Sequence, residues 1–178
     1  MAIAVLVSGT GTNLQAIIDA DIEVEVVITN RESHFVSALR RCEKAGISWR
    51  AYLNNMENLE KYTTEIFEKK EVELIVLAGF MKLLSPAYVE RWKGKIINIH
   101  PSLLPSFKGA HAIEKAIEYG VKVTGVTVHY VDEGMDTGSI IAQQTVKVAK
   151  RDTIETLEKK IHKVEHKLYP KVIKELLK

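Results

Sequence analysis

Two side chains able to stabilise developing charge stand two residues apart at the end of an apolar run, Ile96-Ile97-Asn98-Ile99-His100-Pro101. In an extended strand alternate residues project to one face, so Asn98 and His100 arrive side by side as an amide donor and a titratable ring. Pro101 and Pro105, bracketing Ser102-Leu103-Leu104, remove backbone donors and forbid the strand from continuing. Asp136 follows in Glu133-Gly134-Met135-Asp136-Thr137-Gly138, a glycine-flanked stretch able to fold back over the strand's end. The trio suits an amine attacking a carbonyl. Asn98 and a protonated His100 would donate to the oxyanion. Asp136 would raise the basicity of His100 and help remove the amine proton, directly or through water. No Gly-x-Ser-x-Gly elbow supplies a nucleophile, so direct transfer without an acyl-enzyme is expected.

The alternative for Asn98 or His100 alone is a core position satisfied by backbone groups. Their place at the C-terminal edge of an expected parallel strand, where open sheets bind ligands, favours the chemical reading. His111, at a helix start, is open between touching substrate and capping; His129, inside an expected strand, reads as structural.

A second site is expected at Ser8-Gly9-Thr10-Gly11-Thr12-Asn13-Leu14, between a first strand and a first helix. Glycines allow a sharp turn and close approach, and the helix N-terminus offers free N–H groups to an anion, phosphate above all. The bland reading is a turn that merely needs glycine and a cap. Asn13-Leu14 stands where a dinucleotide fingerprint has its third glycine, and the second strand ends in Thr29-Asn30-Arg31 rather than an acid. A small phosphorylated substrate is therefore preferred over NAD or ATP.

These groups need a scaffold that delivers them to one edge. Strand-like runs at residues 3–7, 23–29, 47–52, 74–78 and 96–99 alternate with helical periodicity over 13–20, 35–45, 59–70 and 86–92. Near-continuous Ile, Val and Leu in the strands predicts a sheet buried on both faces. The expected fold is α/β, an open, mostly parallel, doubly wound sheet. After a helix over 112–119, residues 124–131 and 139–148 form two strands joined by a turn-rich stretch, an antiparallel addition. The last helix is expected to open at Asp152 as cap, with Glu155 at the capping-box position, and to pack through Ile154, Leu157, Ile161, Val164 and Leu168.

With 178 residues, 46% hydrophobic and 27% charged, the chain fits one soluble domain, residues 1–178. A formal charge of +2 argues for neither nucleic acid nor membrane. Cys42 is the single cysteine, which leaves no internal disulfide and fits a reducing, cytoplasmic setting. The short apolar N-terminal run ends at Ser8-Gly9, too soon for a signal core or a membrane span.

Taken together, Ser8-Gly9-Thr10-Gly11-Thr12-Asn13-Leu14-Gln15-Ala16-Ile17-Ile18, Leu77-Ala78-Gly79-Phe80-Met81, Asn98-Ile99-His100-Pro101-Ser102-Leu103-Leu104-Pro105 and Asp136-Thr137-Gly138 closely resemble the phosphoribosylglycinamide formyltransferases. The resemblance covers essentially the whole chain, in order. It implies a formyltransferase-type, Rossmann-like fold, with a phosphate-binding half over 1–100 and a folate and catalytic half over 101–178. It also implies transfer of a formyl group from 10-formyltetrahydrofolate, as co-substrate, to glycinamide ribonucleotide in purine synthesis. By the same resemblance Asn98, His100 and Asp136 are catalytic, and Gly11, Thr12, Asn13, His162 and Glu165 meet the ribonucleotide. Met81, Lys82, Leu83, Leu84, Asn98, Asp132, Glu133, Gly134, Met135 and Asp136 hold the folate. No metal is implied, and the implied partners are small molecules, with the protein a monomer or homodimer.

Some members of the family have an arginine for the folate tail where Met56-Glu57-Asn58-Leu59-Glu60-Lys61 has none, which leaves Lys61 or Lys82, and His162 replaces a glutamine. A methionyl-tRNA formyltransferase would add a C-terminal domain with a basic surface, and a formyltetrahydrofolate hydrolase a regulatory domain in front. His162-Lys163-Val164-Glu165-His166 spells a zinc-peptidase pattern, but Ile161 and Val164 belong to the expected core stripe, which disfavours a metal there. A non-catalytic nucleotide-binding module would not need Asn98, His100 and Asp136 together.

Overall fold

The computed structural model describes residues 2–31, 37–53 and 55–178. The chain runs β1 (Ala2–Val7), α1 (Thr12–Asp19), β2 (Val24–Thr29), α2 (Ser37–Ala45), β3 (Trp49–Ala51), α3 (Met56–Lys69), β4 (Val72–Leu77), α4 (Pro86–Arg91) and β5 (Ile96–His100). It continues through α5 (Ala112–Tyr119), β6 (Val123–Tyr130), β7 (Ile140–Lys147) and α6 (Ile154–Leu176). The strands form one sheet in the order β3-β2-β1-β4-β5-β6-β7. β1 to β5 pair in parallel, whereas β5–β6 and β6–β7 are antiparallel. This is the doubly wound sheet with an antiparallel addition that the hydrophobic pattern predicts.

Both faces are covered. Ile3, Val5 and Val7 pack with Leu14 and Ile17 of α1 and with Leu157, Ile161 and Tyr169 of α6. Ala4 and Leu6 point the other way, onto Leu59 and Phe67 of α3 and onto Tyr88 and Trp92. Each large apolar side chain so buried contributes about 1.5–3 kcal/mol, which is why these strands show no polar alternation. Among the described residues no helix is long and apolar enough to cross a membrane.

β2 lies on one side of β1 and β4 on the other, so the loops leaving β1 and β4 diverge and open a crevice at the sheet's C-terminal edge. Tyr169 staples the neighbouring strands at that level. Its hydroxyl, wholly buried, lies 2.9 Å from the Leu77 carbonyl and 3.2 Å from that of Ile97, one donor shared between β4 and β5.

Several boundaries differ from expectation. α3 starts at Met56 because the Asn55 side chain accepts the Asn58 N–H at 3.2 Å, an N-cap ahead of the periodic run. The first two positions of the helix predicted over 35–45 lie outside the described residues. The cap of α6 is Thr153, not Asp152, and the capping-box partner is Thr156, not Glu155. Asp152 is diverted by neighbours on both sides, accepting from the Ala149 N–H at 2.7 Å and from Lys160 Nζ at 2.5 Å. The buried stripe of α6 also runs differently. Leu157, Ile161, Glu165, Tyr169 and Ile173 face inward, Val164 and Leu168 are only partly buried, and Ile154 is 40% exposed.

Candidate active site

The loop after β1 is built for close approach. Gly11, the residue before α1, has φ +70°, and a Cβ there would lie 2.5 Å from the Ala38 Cβ, so both conformation and space demand glycine. Among the described residues no side chain caps α1, and no acid sits in its first turn, which leaves its leading N–H groups open to an anion. Asn13, in that first turn, turns its amide N–H to Glu165 Oε2 at 3.2 Å.

Glu165 itself is only 5% exposed, a carboxylate set into the apolar stripe of α6. Burial pushes its pKa up, against the opposing pull of His162, whose Nε2 is 3.9 Å away, and of the Asn13 amide. His162 and His166 stack with centroids 6.0 Å apart and planes at 13°. Gly11, Thr12 and Asn13 thus share one corner with Glu165 and His162, although 152 residues separate Asn13 from Glu165.

At the edge of β5, the Nδ1 of His100 stands 3.3 Å from Asp136 Oδ2, and both side chains are largely buried. Asp136 adopts φ 52° in its loop, and the same Oδ2 accepts the Gly109 N–H at 2.8 Å. Burial alone would raise the Asp136 carboxyl, but contacts from His129, Gly109 and His100 together lower it to about 2. On the other side of the ring, His100 Nε2 meets the Phe107 carbonyl at 2.8 Å. Acceptors at both ring nitrogens match an imidazolium. Burial nevertheless carries the His100 pKa below its ordinary value, outweighing the Phe107 and Asp136 contributions that raise it. The resting ring is therefore held neutral more firmly than the sequence suggests, and Asp136 only partly offsets this.

The run Pro101–Pro105 is pinned under the site. Thr127 Oγ1 donates to the Ser102 carbonyl at 2.7 Å and accepts the Leu104 N–H at 3.0 Å. The Ser102 hydroxyl donates to the Ser106 carbonyl at 2.5 Å, so the path leading to Phe107 is fixed.

Asn98 reaches Asp136 through an intermediary that the sequence reading takes as structural. His129, 2% exposed, places its Nε2 3.2 Å from Asn98 Nδ2 and 3.5 Å from Asp136 Oδ1, while its Nδ1–H donates to the Tyr130 carbonyl at 2.8 Å. The antiparallel register sets Asn98 directly opposite His129, so two adjacent strands supply an amide and a ring to one point. The sequence signal was a polar residue inside an apolar strand; its meaning depended on a pairing that only the fold supplies.

Of the remaining expected residues, Met81 and Leu83 stand 71% and 66% exposed on the loop after β4, while Leu84 packs partly against the core. Lys82 is exposed beside them. Met135 is 51% exposed and approaches Gly109, where a Cβ would meet its sulfur at 2.8 Å. Asp132 shapes the loop, its Oδ1 accepting from the Gly134 N–H at 3.1 Å and the Thr137 hydroxyl at 2.6 Å. Glu133 and Gly134 are exposed on that loop, and His111 caps α5 at φ 62° with Nδ1 3.1 Å from Glu114 Oε1.

Residues 1–173 match the family model described as formyl transferase. A human protein, the trifunctional purine biosynthetic protein adenosine-3, is 45% identical across 94% of this chain, which spans 17% of that relative's length. The phosphoribosylglycinamide formyltransferase of Bacillus subtilis is 45% identical over 98% of this chain and 93% of its own. The crystal structure of phosphoribosylglycinamide formyltransferase from Streptococcus pneumoniae superposes with a TM-score of 0.94 at 38% identity, covering 99% of each chain. With a family match over residues 1–173 and relatives this similar over nearly the whole chain, the chain belongs to the formyl transferase family, among the phosphoribosylglycinamide formyltransferases.

Proposed function

We propose that the protein transfers the formyl group of 10-formyltetrahydrofolate to the amine of glycinamide ribonucleotide, by direct attack of that amine on the formyl carbon. The observation that carries this reading is the approach of His100 Nδ1 to Asp136 Oδ2 at 3.3 Å, at the end of the strand that also presents Asn98. The open first turn of α1 fits the ribonucleotide phosphate, and Glu165 with His162 fits its sugar hydroxyls. Met81, Leu83, Leu84 and Met135 offer apolar surface suited to a flat pterin. Asn98, Asp132 and Asp136, with the exposed chain of Lys82, Glu133 and Gly134, offer polar and backbone groups around it. 10-Formyltetrahydrofolate would supply the one-carbon unit.

In this reading Asn98 donates its second amide N–H to the formyl oxygen as negative charge develops there. His100, protonated, exchanges the Phe107 carbonyl for the same oxygen, a stronger acceptor once charged. Asp136, ionised throughout because its carboxyl titrates near 2, supports the imidazolium and orients the water that takes a proton from the attacking amine. That proton ends on the nitrogen released from the formyl carbon, so the transfer is balanced. His129 Nε2 serves one partner at a time: unprotonated it accepts the Asn98 amide, and protonated it donates to Asp136 Oδ1.

The test is direct. Purified protein mixed with glycinamide ribonucleotide and 10-formyltetrahydrofolate should release tetrahydrofolate, and no turnover would defeat the assignment. His100→Ala should lower kcat by about a hundredfold or more with ribonucleotide binding largely kept.

A further inference from the structure

The loop from Phe80 to Ser85 exposes Met81 and Leu83, and only Phe80 and Leu84 pack partly against the core. Its two roots are held by side chains from elsewhere. Beyond the ends of β1 and β4 the ladder continues, with Ala78 N–H to the Leu6 carbonyl at 2.9 Å and Ser8 N–H to the Gly79 carbonyl at 3.1 Å. Beyond it the Met81 N–H has no backbone acceptor among the described residues and uses Ser8 Oγ at 2.9 Å, while the Ser8 hydroxyl donates to Asn30 Oδ1 at 2.7 Å. At the other root Glu60 of α3 accepts the Ser85 N–H at 2.7 Å on one oxygen and the Ser85 hydroxyl at 2.5 Å on the other. Ser85 in turn caps α4 through the Tyr88 N–H at 3.2 Å.

We propose that Ser8 and Glu60 are positioning residues that clamp the Met81–Leu84 loop, at its two ends, in the conformation that takes the formyl donor. The inference rests on the reading of that loop as folate-binding and adds what holds it. Ser8 is 3% exposed and works through the Met81 backbone, and Glu60 works through Ser85. Without either clamp the loop must be ordered when the donor binds, which weakens binding without altering the reacting groups.

Ser8→Ala, which loses the part-buried bond to the Met81 N–H, and Glu60→Ala, which loses two part-buried bonds to Ser85, should each raise the KM for 10-formyltetrahydrofolate, and the Kd for tetrahydrofolate measured by calorimetry, by about fivefold to tenfold. Glu60→Gln keeps an acceptor and should stay near wild type, and the KM for glycinamide ribonucleotide should move by less than about twofold in the Glu60 variants. Amide exchange should quicken at Met81 in Ser8→Ala and at Ser85 in Glu60→Ala, with the core strands unchanged. Should Ser8→Ala fail to fold, Asn30→Ala, which frees the Ser8 hydroxyl, carries the same expectations. Tetrahydrofolate bound equally well by wild type and variants, or equal KM shifts for both substrates in Glu60→Ala, would overturn the clamp. A wild-type protein that binds no tetrahydrofolate would overturn the folate reading beneath it.

Discussion

Asp136→Asn removes one charge and almost no volume. The carboxylate is bound by the Gly109 N–H at 2.8 Å, faces His100 Nδ1 at 3.3 Å and lies 3.5 Å from His129 Nε2. Burial opposes ionisation, yet these contacts lower the pKa from 3.8 to about 2. Because the native value lies below the unfolded one, the unfolded chain takes up the proton first as pH falls. The stabilisation is therefore fully present above the unfolded pKa of 3.8 and is lost as pH drops through about 2. At about 1.4 kcal/mol per pKa unit, the contribution at neutral pH is about 2 kcal/mol. The side chain is 12% exposed, so solvent screens little of it.

Urea unfolding of wild type and Asp136→Asn, followed from about pH 7 down to about pH 2, should give a stability gap that narrows by about 2 kcal/mol across that range. A gap that stays constant would refute the argument, since it would mean that the cost comes from shape or from the Gly109 bond rather than from charge. The same substitution removes a group that raises the His100 pKa, so the alkaline limb of turnover should move to lower pH. Turnover itself should fall by about a hundredfold or more, with ribonucleotide binding retained.

Two further substitutions probe the proposed ribonucleotide corner. Gly11→Ala must place its new Cβ 2.5 Å from Ala38 Cβ at φ +70°. It should cost about 2–4 kcal/mol in urea unfolding and raise the KM for glycinamide ribonucleotide more than that for the formyl donor; an unchanged KM ratio would remove the phosphate from this loop. Glu165→Gln acts in the opposite pH sense to Asp136→Asn. Burial raises the Glu165 pKa, so wild type loses stability as pH climbs through the native value and the carboxyl must ionise. Thermal melts at about pH 5 and about pH 8 should show the glutamine variant gaining on wild type at the higher pH, and a Tm difference independent of pH would contradict this.

The residues legible from sequence were those whose meaning is local. Asn98 and His100 share a face because a strand alternates, and Pro101 marks the end of that strand without any knowledge of its neighbours. Gly11 is legible because a strand-to-helix turn and an open helix N-terminus lie within a few residues of each other. The parallel order followed from the apolar continuity of β1, β2 and β4. His129 belongs to a different category. Its contact with Asn98 depends on the register between β5 and β6, which a one-residue slip would have turned to the opposite face. The cap of α6 differs from the expected one for a more local reason, since Asp152 and Thr153 are both good caps and the bonds of Asp152 to Ala149 and Lys160 decide between them.

Glu165 shows most clearly where local reading ends. A stripe drawn through Leu157, Ile161, Val164 and Leu168 leaves it on the margin of α6, an ordinary polar position. The contact of α6 with α1 selects instead the row at steps of four, Leu157, Ile161, Glu165, Tyr169 and Ile173, and that row has a carboxylate at its centre. Packing alone would place an apolar side chain there, since an ionised carboxylate in that row is costly. The only hydrogen bond the Glu165 side chain makes among the described residues is to Asn13, which lies in the first turn of α1. An acid kept in a core row, and turned toward the open end of another helix, fits the proposed role of holding the ribonucleotide at that end. Replacing it should therefore improve the core at high pH while damaging the ribonucleotide corner, and that opposition separates a ligand-holding carboxylate from a structural one.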